Sequence, residues 1–417
     1  MKQLRDTDVY RKLCTDESRE EGYSAMHGFL SNDWAGLVLA AGVAAVAAVL
    51  FLGTRRWWAA TPVALLAAAM AIGSGVHLYQ VAEMDRKYPA PGSFVEVDGQ
   101  QLHVLTEGPE SDSAPTIVLF GGGHAPGTSM RFIHDALKSD YRSVLIDRPG
   151  MGWSGPARFP LSTASEARQM WDALDKVGAK GPVLLAGHSF GGLLAANMAR
   201  LRPERVHALV VMDATPPDVI LYGPRLEELS TLSSDPWWNG FLGLFAIDYQ
   251  KLKDEPEMPP AYAELDRKIA KTMGRDSLIQ KDFITRPRAQ MAAHSIFQEL
   301  TPQGMAAVAY ETGFFEGELG DMPLYLLAPQ NAVGISDVST FRNAEEREAM
   351  RLQRFYSVAR ERYLDYSNNS TRIVAPENSS HNFLYEHPGF TIDVLRRIAA
   401  GSYATPAAAE AAAGTRP

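Results

Sequence analysis

Cysteine is almost absent from this chain: one residue, Cys14, among 417. That excludes an intrachain disulfide framework and any cysteine-based zinc or iron–sulfur site. Positive charge is also in deficit, with 40 Lys and Arg against 49 Asp and Glu, a net charge of −9. The cations are scattered along the chain, so the basic stripe of a nucleic-acid-binding protein is missing. No segment repeats itself. Two stretches near the N-terminus, residues 35–53 and 59–79, lack charge altogether. What is abundant is apolar surface: 46 % of residues are hydrophobic, enough for a sizeable core.

A bilayer core about 30 Å thick is crossed by roughly 20 apolar helical residues, and both charge-free stretches have that length. A pair of buried Ala-rich core helices would pass the same test. Two full-length runs in succession favour two transmembrane helices over residues 34–80, with Trp34, Trp57 and Trp58 at the run ends, where an aromatic belt would lie. A cleaved signal peptide fits poorly, because a polar extension, residues 1–33, precedes the first run. Arg55 and Arg56 in the short link favour a cytoplasmic loop, which puts the rest of the chain on the extracytoplasmic side, although Arg86 and Lys87 flank the other end of the second run.

Tyr88-Pro-Ala-Pro-Gly92 reads as a stiff linker. A globular region follows over residues 92–400, and an Ala-rich tail, residues 401–417, reads as disordered. Within the globular region, residues 94–105 read as a hairpin turning at Asp98-Gly99. Short apolar strands are expected at 116–120, 141–146, 182–186, 206–212, 323–328 and 371–375. They alternate with helical patterns at 129–138, 165–177, 190–201 and 388–399. That alternation means α/β architecture: a mainly parallel sheet covered by helices on both faces. Ligands bind such sheets at the carboxyl ends of the strands.

Residues 184–194 read LLAGHSFGGLL. An ordinary glycine-rich turn would account for the letters. The position, where a strand gives way to a helix, favours a strained turn that thrusts Ser189 outward as a nucleophile, with Gly187 and Gly191 leaving room for close backbone approach. The helix N-terminus behind Ser189 would favour developing negative charge.

With Gly187-His-Ser-Phe-Gly-Gly192, residues 147–155 (DRPGMGWSG) and Phe120-Gly-Gly-Gly-His124, residues 92–400 resemble the α/β-hydrolases. The likeness is to bacterial members of serine esterase or lipase type with an N-terminal membrane anchor. The resemblance implies an oxyanion hole built from two backbone N–H groups: one on Phe190, the other on Gly123, with Gly122 as the alternative register. It implies the chain order serine, acid, histidine. His381, in the loop ahead of the last helix, is the expected base. His387 reads as the start of that helix, His188 as pointing away from Ser189, His294 as part of an insertion and His124 as pocket lining. For the acid two positions stay open. Asp213, at the end of strand 206–212, is favoured, although a turn-capping role ahead of Pro216-Pro217 competes. Asp337 follows strand 323–328, the family's usual place, but with altered spacing. Asp321 lies ahead of its strand, at the wrong end of the sheet.

An insertion at about 214–320 carries Trp237-Trp238, Phe241 and Phe245. The resemblance implies a lid over an apolar acyl or alcohol group; a packed helical subdomain would have the same composition. The expectation is therefore a membrane-anchored serine hydrolase of carboxylic esters, with a small apolar acyl ester as substrate, the bilayer as partner, and no cofactor or metal. Thioesterase, amidase, C–C bond hydrolase or cofactor-free haloperoxidase chemistry on the same residues remain alternatives, as does a non-catalytic ligand-binding module.

Overall fold

The computed structural model describes residues 29, 32–54, 57–87, 89–111, 113–122, 125–155, 163–216, 316–330 and 359–403. Two helices come first, α1 (Ala35–Thr54) and α2 (Trp57–Lys87). Over Ala35–Gly53 and Trp57–Tyr79 each is long and apolar enough to cross a membrane, which makes both candidate spans. Ala40 of α1 packs with Met70 of α2. Asp33, just ahead of α1, meets His77 Nε2 of α2 at 2.7 Å, so the helices form an antiparallel hairpin. Val49, Leu52, Leu65 and Ile72 face outward and exposed. Trp34, Trp57 and Trp58 stand exposed at the ends. Helix α2 runs to Lys87, beyond the apolar run, because charged residues such as Asp85 and Arg86 are no obstacle to helix. Arg55 and Arg56, the basis of the orientation expectation, lie outside the described residues.

The globular part contains β1 (Ser93–Val97), β2 (Gln100–Glu107), β3 (Thr116–Phe120), α3 (Arg131–Leu137), β4 (Ser143–Ile146), α4 (Thr163–Lys176), β5 (Val183–His188), α5 (Phe190–Leu201), β6 (Val206–Met212), β7 (Leu324–Ala328), β8 (Ser370–Val374) and α6 (Pro388–Ala399). They make one eight-stranded sheet in the order β1-β2-β4-β3-β5-β6-β7-β8. The β1–β2 and β2–β4 pairs are antiparallel and the rest parallel. Asp98 and Gly99 take positive φ (51° and 68°) in the β1–β2 turn, as a tight hairpin demands.

Central strands are apolar throughout because both faces are covered. Val118, Phe120, Leu185, Leu209 and Val211 pack with Trp171 and Leu174 of α4 and Leu194 of α5. Their alternates Ile117, Leu119, Leu184, Ala186 and Val210 pack with Ile133 of α3 and Leu395 of α6. Each such Leu, Ile or Val contributes about 1.5–3 kcal/mol on full burial. Residues 129–138, expected as one helix, divide into a 3-10 turn (Gly127–Met130) and α3. Strand β5 extends two residues past its expected end, because Gly187 and His188 still pair with Val211 and Met212 of β6. Of the expected lid, residues 217–315 lie outside the described residues, as do 404–417 of the tail. The carboxyl ends of the parallel strands therefore line one edge, and Ser189 follows the central one.

Trp171 is fully buried and its Nε1–H donates to the Met198 carbonyl at 2.9 Å, tying α4 to α5. Trp171→Ala is expected to destabilise the globular part by about 3–5 kcal/mol, read as a lowered midpoint in denaturant unfolding of the detergent-solubilised chain. A loss under about 1 kcal/mol would mean that this face of the sheet does not depend on it.

Candidate active site

Ser189 stands between β5 and α5 with φ 52° and ψ −122°. For a residue with a side chain this backbone is strained, at a cost on the order of 1–3 kcal/mol. Its surroundings enforce it. Ser189 N–H donates to Met212 O (3.1 Å), and Ser189 O accepts from Gly192 N–H (3.0 Å) and Thr215 N–H (2.9 Å). A β-carbon on Gly187 would collide with the Gly191 carbonyl, and one on Gly191 with the Gly121 carbonyl. Only glycine allows the strand, the turn and the β3 loop to approach so closely. Phe190 opens α5, so its N–H has no partner within the helix.

Of that loop, Gly121 and Gly122 are described; Gly123 and His124 lie outside the described residues. Gly122 adjoins the elbow: a β-carbon there would come 3.5 Å from Ser189 Cβ and 3.4 Å from His188 Nδ1.

Asp213 follows the last residue of β6 and is fully buried at its side chain. Its φ is 42°, in the left-handed region that Asp tolerates better than most residues. Its N–H donates to Leu327 O of β7 at 2.8 Å. Oδ2 accepts a hydrogen bond from His381 Nδ1 at 2.6 Å, and Oδ1 accepts one from the Arg360 guanidinium. Burial by itself would raise the Asp213 carboxyl. The His381 hydrogen bond and charge, with the Arg360 charge, outweigh it and hold the carboxyl below its ordinary range.

His381 sits in the loop after β8, and that loop is braced. Ser380 N–H and Oγ–H donate to Glu386 (2.8 and 2.6 Å), and Gln330, just past β7, donates its N–H to Ser379 Oγ at 2.8 Å. His387 caps α6 as expected, Asp321 stands ahead of β7 at the opposite edge of the sheet, and Asp337 and His294 lie outside the described residues. No hydrogen bond joins Ser189 Oγ to the His381 ring in the structure; such bonds are often long before substrate binds.

His188 departs from expectation. Its ring lies 4.5 Å from the His381 ring, centroid to centroid, and its Nε2–H donates to the His381 carbonyl at 2.8 Å. Burial, reinforced by the nearby His381, pushes His188 down to about 3, so the ring is neutral and the carbonyl partner fixes its proton on Nε2. His188 does diverge from Ser189, but the loop after β8 carries His381 over the same face, and the two rings meet. Arg360 is the other participant that sequence reasoning missed.

The DRPGMGWSG loop frames the site from below. Asp147 accepts from His103 Nδ1 (2.9 Å) and Trp153 N–H (3.1 Å). Arg148 lies 4.6 Å above the Phe190 ring and pairs with Glu166 at 3.8 Å. Among the described residues, one group of potential metal ligands, Glu107, His134 and Asp135, lies at the amino end of the strands, far from Ser189. Lys138 Nζ already bridges its two carboxylates at 2.9 and 2.8 Å.

The comparisons with known proteins agree with this architecture. Residues 115–246 match the family model described as alpha/beta hydrolase fold. The chain is 38 % identical over 104 residues to the pimeloyl-[acyl-carrier protein] methyl ester esterase of Aeromonas hydrophila, covering 24 % of this chain and 39 % of that protein. Its fold resembles a thermophilic esterase from Thermogutta terrifontis (TM-score 0.50, 17 % identity, 75 % of this chain and 100 % of that one). It also resembles the Cif epoxide hydrolase from Acinetobacter nosocomialis (TM-score 0.52, 17 % identity, 78 % and 96 %). The chain has the α/β-hydrolase fold. It spans less than half the length of the curated relatives it matches.

Gly191→Ala tests the close approach. The added carbon must push α5 away from the β3 loop, displacing Phe190 N–H. Labelling of Ser189 by a fluorophosphonate is expected to slow by on the order of 10²-fold, with far-ultraviolet circular dichroism unchanged. Labelling at the wild-type rate would mean the contact has no bearing on the site.

Proposed function

We propose that the chain is a membrane-anchored serine hydrolase that cleaves carboxylic esters of apolar acyl groups. One observation carries the reading: a buried carboxylate, Asp213, is bonded to the ring of His381 at the sheet edge where Ser189 occupies a strained strand-to-helix turn. In this reading Ser189 Oγ attacks the acyl carbonyl. His381 Nε2 takes the proton and returns it to the leaving alcohol. Asp213 keeps the proton on Nδ1, which leaves Nε2 as acceptor, and stabilises the imidazolium that forms. Phe190 and Gly123 N–H groups hold the oxyanion. Water, activated by His381, then attacks the acyl-enzyme and releases the acid. The likeness to the Aeromonas esterase supports ester chemistry. Serine at the elbow argues against epoxide opening, for which the resemblance implies an aspartate there.

The two apolar helices support the anchor, and Arg55 and Arg56 support a cytoplasmic hairpin loop.

Ser189→Ala removes one hydroxyl from the turn. Ester hydrolysis is expected to fall on the order of 10⁴-fold or more without unfolding, and Asp213→Asn to lower kcat by roughly 10²–10⁴-fold. Activity of Ser189→Ala within about tenfold of wild type, under roughly 1.4 kcal/mol of transition-state stabilisation, would end the serine reading. Protease added to intact spheroplasts is expected to digest the region after Tyr79. Full protection until lysis would reverse the topology.

A further inference from the structure

Arg360 lies in the helical segment just before the 3-10 turn Arg362–Tyr366 and is 4 % exposed. Its Nη1–H donates to Asp213 Oδ1, while the other carboxylate oxygen, Oδ2, receives Nδ1–H of His381. Three residues on, and so on the same face of the segment, the Tyr363 hydroxyl donates to the Thr215 carbonyl at 2.7 Å. The segment thus grips the loop after β6 twice, once at the carboxylate and once at the backbone two residues later.

A buried ion pair can be purely structural. This one differs in the oxygen it uses, since it belongs to the same carboxylate that orients the expected base. A cation on Oδ1 fixes the carboxylate plane, so that Oδ2 meets the imidazole in one direction only. It also offsets part of the negative charge that the His381 ring faces. We propose that Arg360 is a positioning residue for the base, acting through Asp213 to keep His381 aligned and to limit the negative charge that its ring faces. This rests on the serine-hydrolase reading above.

The charged and titratable groups around the pair are few among the described residues. His381 faces Asp213 from the loop after β8, and His188 faces His381 from β5. Glu361 lies 3.9 Å from Arg360 Nη2 and is itself paired with Arg372 of β8 at 3.0 Å. Tyr363 stands on the same segment, which also carries Arg362, Asp365 and Tyr366.

The test measures the rate of fluorophosphonate labelling of Ser189 between pH 4.5 and 9, on the full chain in detergent, for wild type, Arg360→Gln and Arg360→Lys. Gln keeps a donor without the charge. Its acid limb is expected to move up by about one pH unit, with slower labelling at the plateau. Lys keeps the charge, and its limb is expected to stay within about 0.3 unit of wild type. A folded Arg360→Gln protein whose limb does not move, or whose labelling falls equally at every pH, overturns the proposal and leaves a structural ion pair. If Arg360→Gln does not fold, Arg360→Lys decides: a limb at the wild-type position upholds the proposal, and a displaced one overturns it. Failure of wild-type Ser189 to label at all would instead overturn the serine-hydrolase reading.

Discussion

The arrangement depends on a short set of backbone hydrogen bonds at the carboxyl ends of three neighbouring strands. Ser189 N–H reaches Met212 O, Thr215 N–H reaches Ser189 O, and Asp213 N–H reaches Leu327 O. Together they lock the turn after β5 to the turn after β6, and that in turn to β7. Both Ser189 and Asp213 sit at positive φ, each strained by on the order of 1–3 kcal/mol. Neither conformation would persist alone. Parallel register fixes which strand ends coincide, the glycines permit the contact, and the packed core on both faces of the sheet supplies the stability that offsets the strain.

On that frame the electrostatics follow from burial. A lone carboxylate as buried as Asp213 would be neutral, and neutral it could not stabilise an imidazolium. Two donors prevent this: the imidazole on one oxygen and the guanidinium on the other. His188 adds the opposite property. Its burial keeps it uncharged, so it can pack against His381 and hold the loop carbonyl without adding a second positive charge beside the base. Beside the His381 ring the buried Asp213 carboxylate is thus matched by the buried Arg360 guanidinium. This is how a low-dielectric site accommodates charge that would be costly if unpaired.

Much of this was legible in the sequence because it rests on local pattern. Short apolar runs between helical periods mark the parallel sheet, and Gly187 and Gly191 around Ser189 mark a turn that only small residues permit. Strand ends were less legible. Gly187 and His188 have no strand propensity of their own and belong to β5 only because β6 pairs with them, a tertiary contact that overrides local preference. Arg360 could not be read at all. It meets Asp213 across 147 residues of chain, and no periodicity or spacing ties an arginine to a carboxylate at that separation. The contact of His188 with His381 could not be read from β5 either, because it depends on where the loop after β8 folds back.

That loop also explains how a carboxylate at the end of β6 comes to face the His381 ring. Gln330, just past β7, helps to hold the loop. Gln330 donates its backbone N–H to Ser379 Oγ at 2.8 Å, and its side-chain Oε1 accepts the Asn378 N–H at 3.2 Å. Both partners lie within three residues of His381. Gln330 therefore braces the His381 loop from one side, with Ser380 and Glu386 closing the other. The strand nearer Ser189 supplies the carboxylate that faces His381, and it does so from a backbone already locked to the serine turn. In this division of labour β7 sets where the imidazole stands and β6 sets what it faces. The Asp213 side chain needs only a hydrogen bond's length to connect the two, and the guanidinium of Arg360 fills the space behind it.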